Sequence, residues 1–400
     1  MNIMRIMATG VTASIMATAG GLLGQNVALA QDLTALPALP EAAAAAGLQE
    51  APAQSPSEAA AATGLQEAPA QSLASVPVPP GVPQLTLSGP GGNSVHIFPT
   101  VAGAERLAAA APDTGPLIYH AGGLIMPTVT VYPIFWVPSH LQNGGATGMS
   151  TDYQLVQEYL AFRYPGHGIA NNNTQYYQNV GGAVTYIANA GGYAGAALDT
   201  IPYPQSGCTD SATPGNCITD AQIQAEVARV INVLHLSAGL DKIFLLYTSS
   251  GEGSCVNSAS TSCAYTQYCA YHSAFTLGGV PVIYGNMPYG KVNACQIAGT
   301  PSPNADPAAD AAATAASHEI TEAITDPLLN AWFTAQGNEI GDLCAYNYGP
   351  NTWVSNHGIP ANQFWSGTVY AYFELQREFD NHLHANGFAG CDQIGPGIAN

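Results

Sequence analysis

Eight cysteines, all lying between Cys208 and Cys391, limit what this chain can fold into more than any other feature. An even number with no C-x-x-C spacing reads as four disulfides in an oxidising compartment, not as a zinc ribbon. Eight cysteines allow on the order of 100 pairings, so connectivity stays open. The short intervening loops favour Cys208–Cys217 and Cys255–Cys263.

The first residues agree with export. Arg5 is the one positive charge before an apolar, small-residue run through Leu23, and Ala28-Leu29-Ala30 supplies an A-x-A cleavage signal. Residues 1–30 therefore read as a secretory signal peptide. The run is broken by Thr and Gly, and no later stretch is long and apolar enough to span a bilayer. The expected location is secreted, extracellular or periplasmic, with no membrane span. With 7 Lys+Arg against 26 Asp+Glu and a net charge of −19, the chain repels nucleic acid and attracts divalent cations.

A direct repeat, beginning at Glu41 and again at Glu58, is rich in Ala, Pro, Gln and Glu and lacks aromatics. It cannot bury a core, so residues 31–82 read as a disordered linker. Residues 83–115 read as a pro-segment or as the lead-in to the domain. The composition becomes globular over 116–400, roughly 280 residues, enough for one sizeable core. There, "TVTVYPIFWV", "GAVTYIANA", "DKIFLLYTS", "VPVIYGN" and the late "GTVYAYFELQREFD" read as strands. Ser150–Tyr164 and Thr219–Leu236 read as helices capped by Ser150 or Thr151 and by Thr219.

The chemistry concentrates in "ASHEITEAITDP", Ala316 to Pro327. Asp306-Pro307 starts a helix of strong helix formers, and Pro327 closes it. Residues four apart share a helix face, so His318 and Glu322 stand one turn apart and can hold one metal between them. Glu319 sits about 100° round the helix, where H-E-x-x-H peptidases keep the carboxylate that activates a metal-bound water. Here the second imidazole is replaced by a carboxylate. Downstream, "GNEIGDLC" offers Asp342 as third ligand, with Glu339 next and Cys344 to staple the loop. Asp326 continues the face but reads as a group that fixes the turn into Pro327. His272, in "CAYHSAF", and His120, in "YHAGG", are candidates for a ligand or a transition-state donor.

The blocks "YHAGGLIMPTVTVYPIFW", "KIFLLYTSSGEGSC", "YCAYHSAF", "ITDPLLNAWF" and "GNEIGDLC" together resemble the phosphate-induced protein 1 / EXORDIUM family, over roughly Tyr119 to Cys391. That resemblance implies a secreted protein associated with the cell wall, and it carries no biochemical activity with it. It covers His120, Cys269, His272, Asp326-Pro327, Trp332 and Cys344. This chain departs from the plant pattern in retaining the H-E-x-x-E acids.

The expected fold is α/β or α+β, a single mixed-sheet, zincin-like domain with disulfide-stapled loops. The expected function is a secreted metal-dependent hydrolase, a zinc metallopeptidase. It would use His318, Glu322, Asp342 and Glu339 for Zn2+ or another divalent cation such as Ca2+, with Glu319, His272 and His120 in catalysis. Its substrate would be a peptide or an extracellular polymer. The alternative is a non-catalytic extracellular or cell-wall binding protein with a structural metal. Oligomeric state is not readable.

Overall fold

A computed structural model describes residues 5–6, 85–88, 93–110, 112–365 and 370–394. Apart from Arg5–Ile6, the segments read as signal peptide and linker lie outside the described residues.

The β-branched and aromatic runs build one large mixed sheet. Its strands are β1 Thr86–Ser88, β2 Ser94–Pro99, β3 Val129–Trp136, β4 Gly191–Tyr193, β5 Ala197–Asp199, β6 Lys242–Thr248, β7 Tyr268–Leu277 and β8 Val280–Met287. Their order is β5-β3-β6-β8-β7-β2-β1, with β4 also against β3 and Arg5–Ile6 paired to β5. Strands β5, β3, β6 and β8 run parallel. From β8 outward, β7, β2 and β1 each run antiparallel to their neighbour. The segment read as pro-segment or lead-in thus supplies two strands of the main sheet and the helix α1, Val101–Ala110.

Both faces are covered, as parallel strands require, because their continuous apolar runs have no polar side. Along β3, Val131 and Phe135 join one core, whereas Tyr132, Ile134 and Trp136 join the other. Helix α3, Asp220–Val233, covers the second core with Ile223, Val227, Val230 and Ile231. Helices α2, Thr151–Arg163, and α4, Pro307–Thr325, cover the first. Each fully buried Leu or Ile contributes about 1.5–3 kcal/mol. The predicted caps hold: Ser150 Oγ accepts from Tyr153 N, and Thr219 forms a capping box with Gln222.

Two expectations fail in detail. "GAVTYIANA" forms only Ala183–Tyr186, an exposed hairpin with Tyr177–Val180 outside the main sheet. The late segment is not one strand. Its described residues form Tyr372–Phe373 and Glu378–Phe379, and the intervening Gln376 is directed into the interior toward His318.

The cysteines pair as Cys208–Cys217, Cys255–Cys263, Cys269–Cys295 and Cys344–Cys391. The two short-loop pairs are those the spacing favoured. No helix among the described residues is long and apolar enough to cross a membrane.

Candidate metal centre

Helix α4 begins where Asp306 accepts from the backbone N–H groups of Ala308 and Ala309, and Pro307 occupies the first turn. From Ala309 to Thr325 every residue is buried. Alanines concentrated in its first turns let the helix lie close to β7, β8 and α2, and so the polar residues of its last turns are buried with it. Their surroundings must then supply partners, because a buried polar group left unmatched costs about 1–3 kcal/mol. Past the helix, Asp326 Oδ1 accepts from Asn330 and Ala331 N–H, fixing the turn after Pro327. That is the role its sequence position suggested.

His318 and Glu322 do share a face, with Nε2 and Oε1 3.0 Å apart. The loop after the helix brings Asp342 Oδ1 to 3.9 Å from the same Nε2. The loop is shaped by Glu339 N–H donating to Asp342 Oδ2 (2.7 Å) and is tied down by Cys344–Cys391. Gly341 lies between these groups. A Cβ there would stand 2.5 Å from His318 Nδ1 and 3.0 Å from Glu322 Oε1. No residue with a side chain fits this approach.

The opposite wall is the antiparallel end of the sheet. His272 on β7 and His96 on β2 are cross-strand partners, which places both imidazoles on one face. His272 Nδ1 lies 3.1 Å from Glu319 Oε2 and 3.6 Å from Glu322 Oε2, and its Nε2 lies 3.7 Å from Glu339 Oε2. His96 Nε2 is 2.7 Å from Asp342 Oδ2, and its Nδ1 is 3.2 Å from Glu339 Oε1. Phe98, two residues along β2 on the same face, packs on the His318 ring at 4.3 Å.

His318, Glu319, Glu322, Glu339, Asp342 and His272 are therefore brought together. His120 is not. Its ring stacks on Phe333 at 3.5 Å, because β-pairing of Tyr119 with Trp332 carries it toward that side chain. His96, Gln376 and Gly341 were missed by sequence reasoning. The alternation in "SVHIF" was the available signal, since Val95 and Ile97 face one core and Phe98 the other, with His96 beside it.

Electrostatics make the cluster unusual. Three imidazoles and four carboxyls are buried together, and among the described residues no Lys or Arg pairs with them. Burial, reinforced by the neighbouring carboxylates, pushes Glu319, Glu322 and Glu339 well above the ordinary carboxyl range. Burial lowers His318 to about 4 and drives His272 well down. Burial alone would lower His96 too, but Asp342 and Glu322 raise it.

Several of these atoms have no hydrogen-bond partner: His272 Nε2, His318 Nε2, Glu319 Oε1, both Glu322 oxygens, Glu339 Oε2 and Asp342 Oδ1. Such a set fits a divalent cation. Donor atoms of His96, Glu322 and Asp342 lie within 4.8 Å of one another, as do those of His272, Glu322 and Glu339. Ligand bonds near 2 Å place donor atoms about 3–4 Å apart, so small movements would close either set on an ion.

His318 is the exception. Gln376 donates from Nε2 to both Gly341 O (3.0 Å) and His318 Nδ1 (2.9 Å), while its Oε1 accepts from Tyr346 N–H. The other two bonds fix the amide, so Nδ1 is the acceptor and the neutral ring carries its proton on Nε2, toward Glu322. In that tautomer His318 Nε2–H lies 3.0 Å from Glu322 Oε1 without making a hydrogen bond to it, and it offers no lone pair to an ion.

A groove of about 390 Å3 runs beside α1, between Val101, Leu107 and Ile297 on its apolar side and Tyr346 and Asp342 at the cluster. Comparison of the chain with protein-family models, with curated proteins and with solved structures returned no match.

Proposed function

We propose that the chain is a divalent-metal-dependent hydrolase, a zinc peptidase in its simplest form, built on a zincin-like arrangement of the H-E-x-x-E helix against a mixed sheet. The observation that carries this reading is the buried cluster of orphaned nitrogen and oxygen donors around Glu322. Imidazole among the donors favours zinc or a similar transition metal over calcium, which prefers six or more oxygens. Bound there, such an ion would act as a Lewis acid and acidify water.

The protein's own groups have distinct tasks. Glu319, with one oxygen held by His272 Nδ1 and the other unpartnered, is placed to take a proton from water. His318 packs beside Glu322, with Nε2 3.0 Å from Oε1, and is kept neutral by Gln376. The groove that ends at Asp342 is the route for an extended peptide or another extracellular polymer. The resemblance to EXORDIUM-type secreted proteins and the four disulfides support an extracellular setting.

One observation favours a second reading. His272, His318, Glu319 and Glu322 are wholly inaccessible, which suits a structural metal in a non-catalytic binding protein. Metal analysis of the purified protein beside a Glu319→Gln variant, with cleavage of a fluorogenic peptide library, separates the two. The hydrolase keeps its metal and loses cleavage in the variant. A protein with metal and no cleavage in either form is the binding protein. Absence of stoichiometric metal from the wild type would sink both.

A further inference from the structure

The geometry points to a dinuclear centre. We infer that Glu322 bridges two divalent cations, one completed by His96 and Asp342 and the other by His272 and Glu339. This rests on the metal dependence proposed above and deepens it.

Two donor triads are present, and Glu322 is the residue common to both. Its two carboxylate oxygens are both buried and without a hydrogen-bond partner. The two oxygens of one carboxylate can each face one ion of a pair held about 3.5–4 Å apart, the spacing of two-metal sites. Each triad otherwise has the same make-up. One imidazole comes from the β2–β7 pair, and one acid comes from the loop after α4.

Charge gives the second argument. Glu319, Glu322, Glu339 and Asp342 carry four negative charges when ionised, with no Lys or Arg paired to them among the described residues. Asp326 and Glu378 are buried beside them, so one dication leaves the site strongly negative and a second reduces the excess. Burying unbalanced charge costs several kcal/mol per ion even after relaxation.

Valence gives the third. Leaving out the protonated His318 Nε2 and the Glu319 oxygen assigned to water, five orphaned donor atoms remain, on His272, Glu322, Glu339 and Asp342, more than the four positions of one tetrahedral ion. His318 is left outside both triads, in agreement with the tautomer that Gln376 imposes on it.

The test is metal stoichiometry. The full chain is stripped with chelator, reloaded with Zn2+ or Co2+, and assayed by elemental analysis and calorimetric titration. Two equivalents per chain are expected, with Co2+ electron-paramagnetic signal appearing at the first equivalent and attenuated by exchange coupling at the second. His96→Ala and His272→Ala should each retain one equivalent, and His318→Gln should retain two. Circular dichroism establishes that each variant is folded; should either alanine variant unfold, the wild-type stoichiometry and coupling decide alone. One equivalent in the wild type, or uncoupled cobalt at two, overturns the dinuclear centre and leaves metal dependence standing. No equivalent overturns both.

Discussion

His96 and His272 face each other across the β2–β7 pair, ring centroids 5.8 Å apart, although 176 positions of chain separate them in the sequence. A one-residue slip in that register would turn either imidazole to the opposite core and remove it from the cluster. The strand pairing therefore specifies the site as firmly as the helix does.

Gly341 is required by space, not by backbone conformation. Its φ of −77° is open to any residue, but a Cβ would press on His318 Nδ1. Gly341→Ala should cost about 1–3 kcal/mol by overpacking and weaken cation binding as Glu322 is displaced. Urea denaturation with and without Zn2+ checks this; a variant equal to wild type in both would refute the packing account.

The pH dependence of stability has a readable contributor away from the cluster. Burial raises Glu252 to about 8 from an ordinary 4.5, and neither of its oxygens has a partner. The folded state thus holds a proton that the unfolded chain releases. The contribution is fully present below about 4.5 and is lost as pH rises through 8, at on the order of 1.4 kcal/mol per unit. Glu252→Gln should flatten the decline between pH 5 and 8. Parallel pH profiles for variant and wild type would show the assignment to be wrong.

The Cys344–Cys391 bridge closes a loop with a sequence separation of 47 beside the Asp342 turn. Replacing both cysteines by serine should destabilise the protein by about 4 kcal/mol on the chain-entropy account. Cation affinity should fall with it, because Glu339 and Asp342 lie just before Cys344, on the turn that the bridge anchors. Calorimetric titration reads the affinity, and an unchanged value would mean that the loop holds its shape without the bridge.

His120→Ala should leave cation binding untouched. The loss is stacking on Phe333, about 0.5–1.5 kcal/mol, together with the long hydrogen bond between His120 Nε2 and Phe333 O. A changed stoichiometry would return His120 to the site.

Helix α4 was legible in the sequence because its information is local: an Asp-Pro start, a proline stop, and acids at helical spacing. The strands β3, β6 and β8 were legible for the same reason, through unbroken apolar and β-branched runs. What escaped was decided by partners far away. His96 looks like a strand histidine until β7 pairs with it, and Gln376 looks like part of a late strand until its amide meets His318. The same holds for His120, where a neighbouring strand pair carries the ring to Phe333 and away from the acids.

The 2.7 Å contact between His96 and Asp342 joins residues 246 positions apart. Loops of that length close late, after nearer contacts have compensated part of the entropy. The cluster is therefore complete only once β2 has docked on β7. A cation captured there would act as a clasp between the first and last parts of the domain to meet. Its release would open the molecule at that seam first, exposing β1, β2 and α1 while the parallel strands stayed closed.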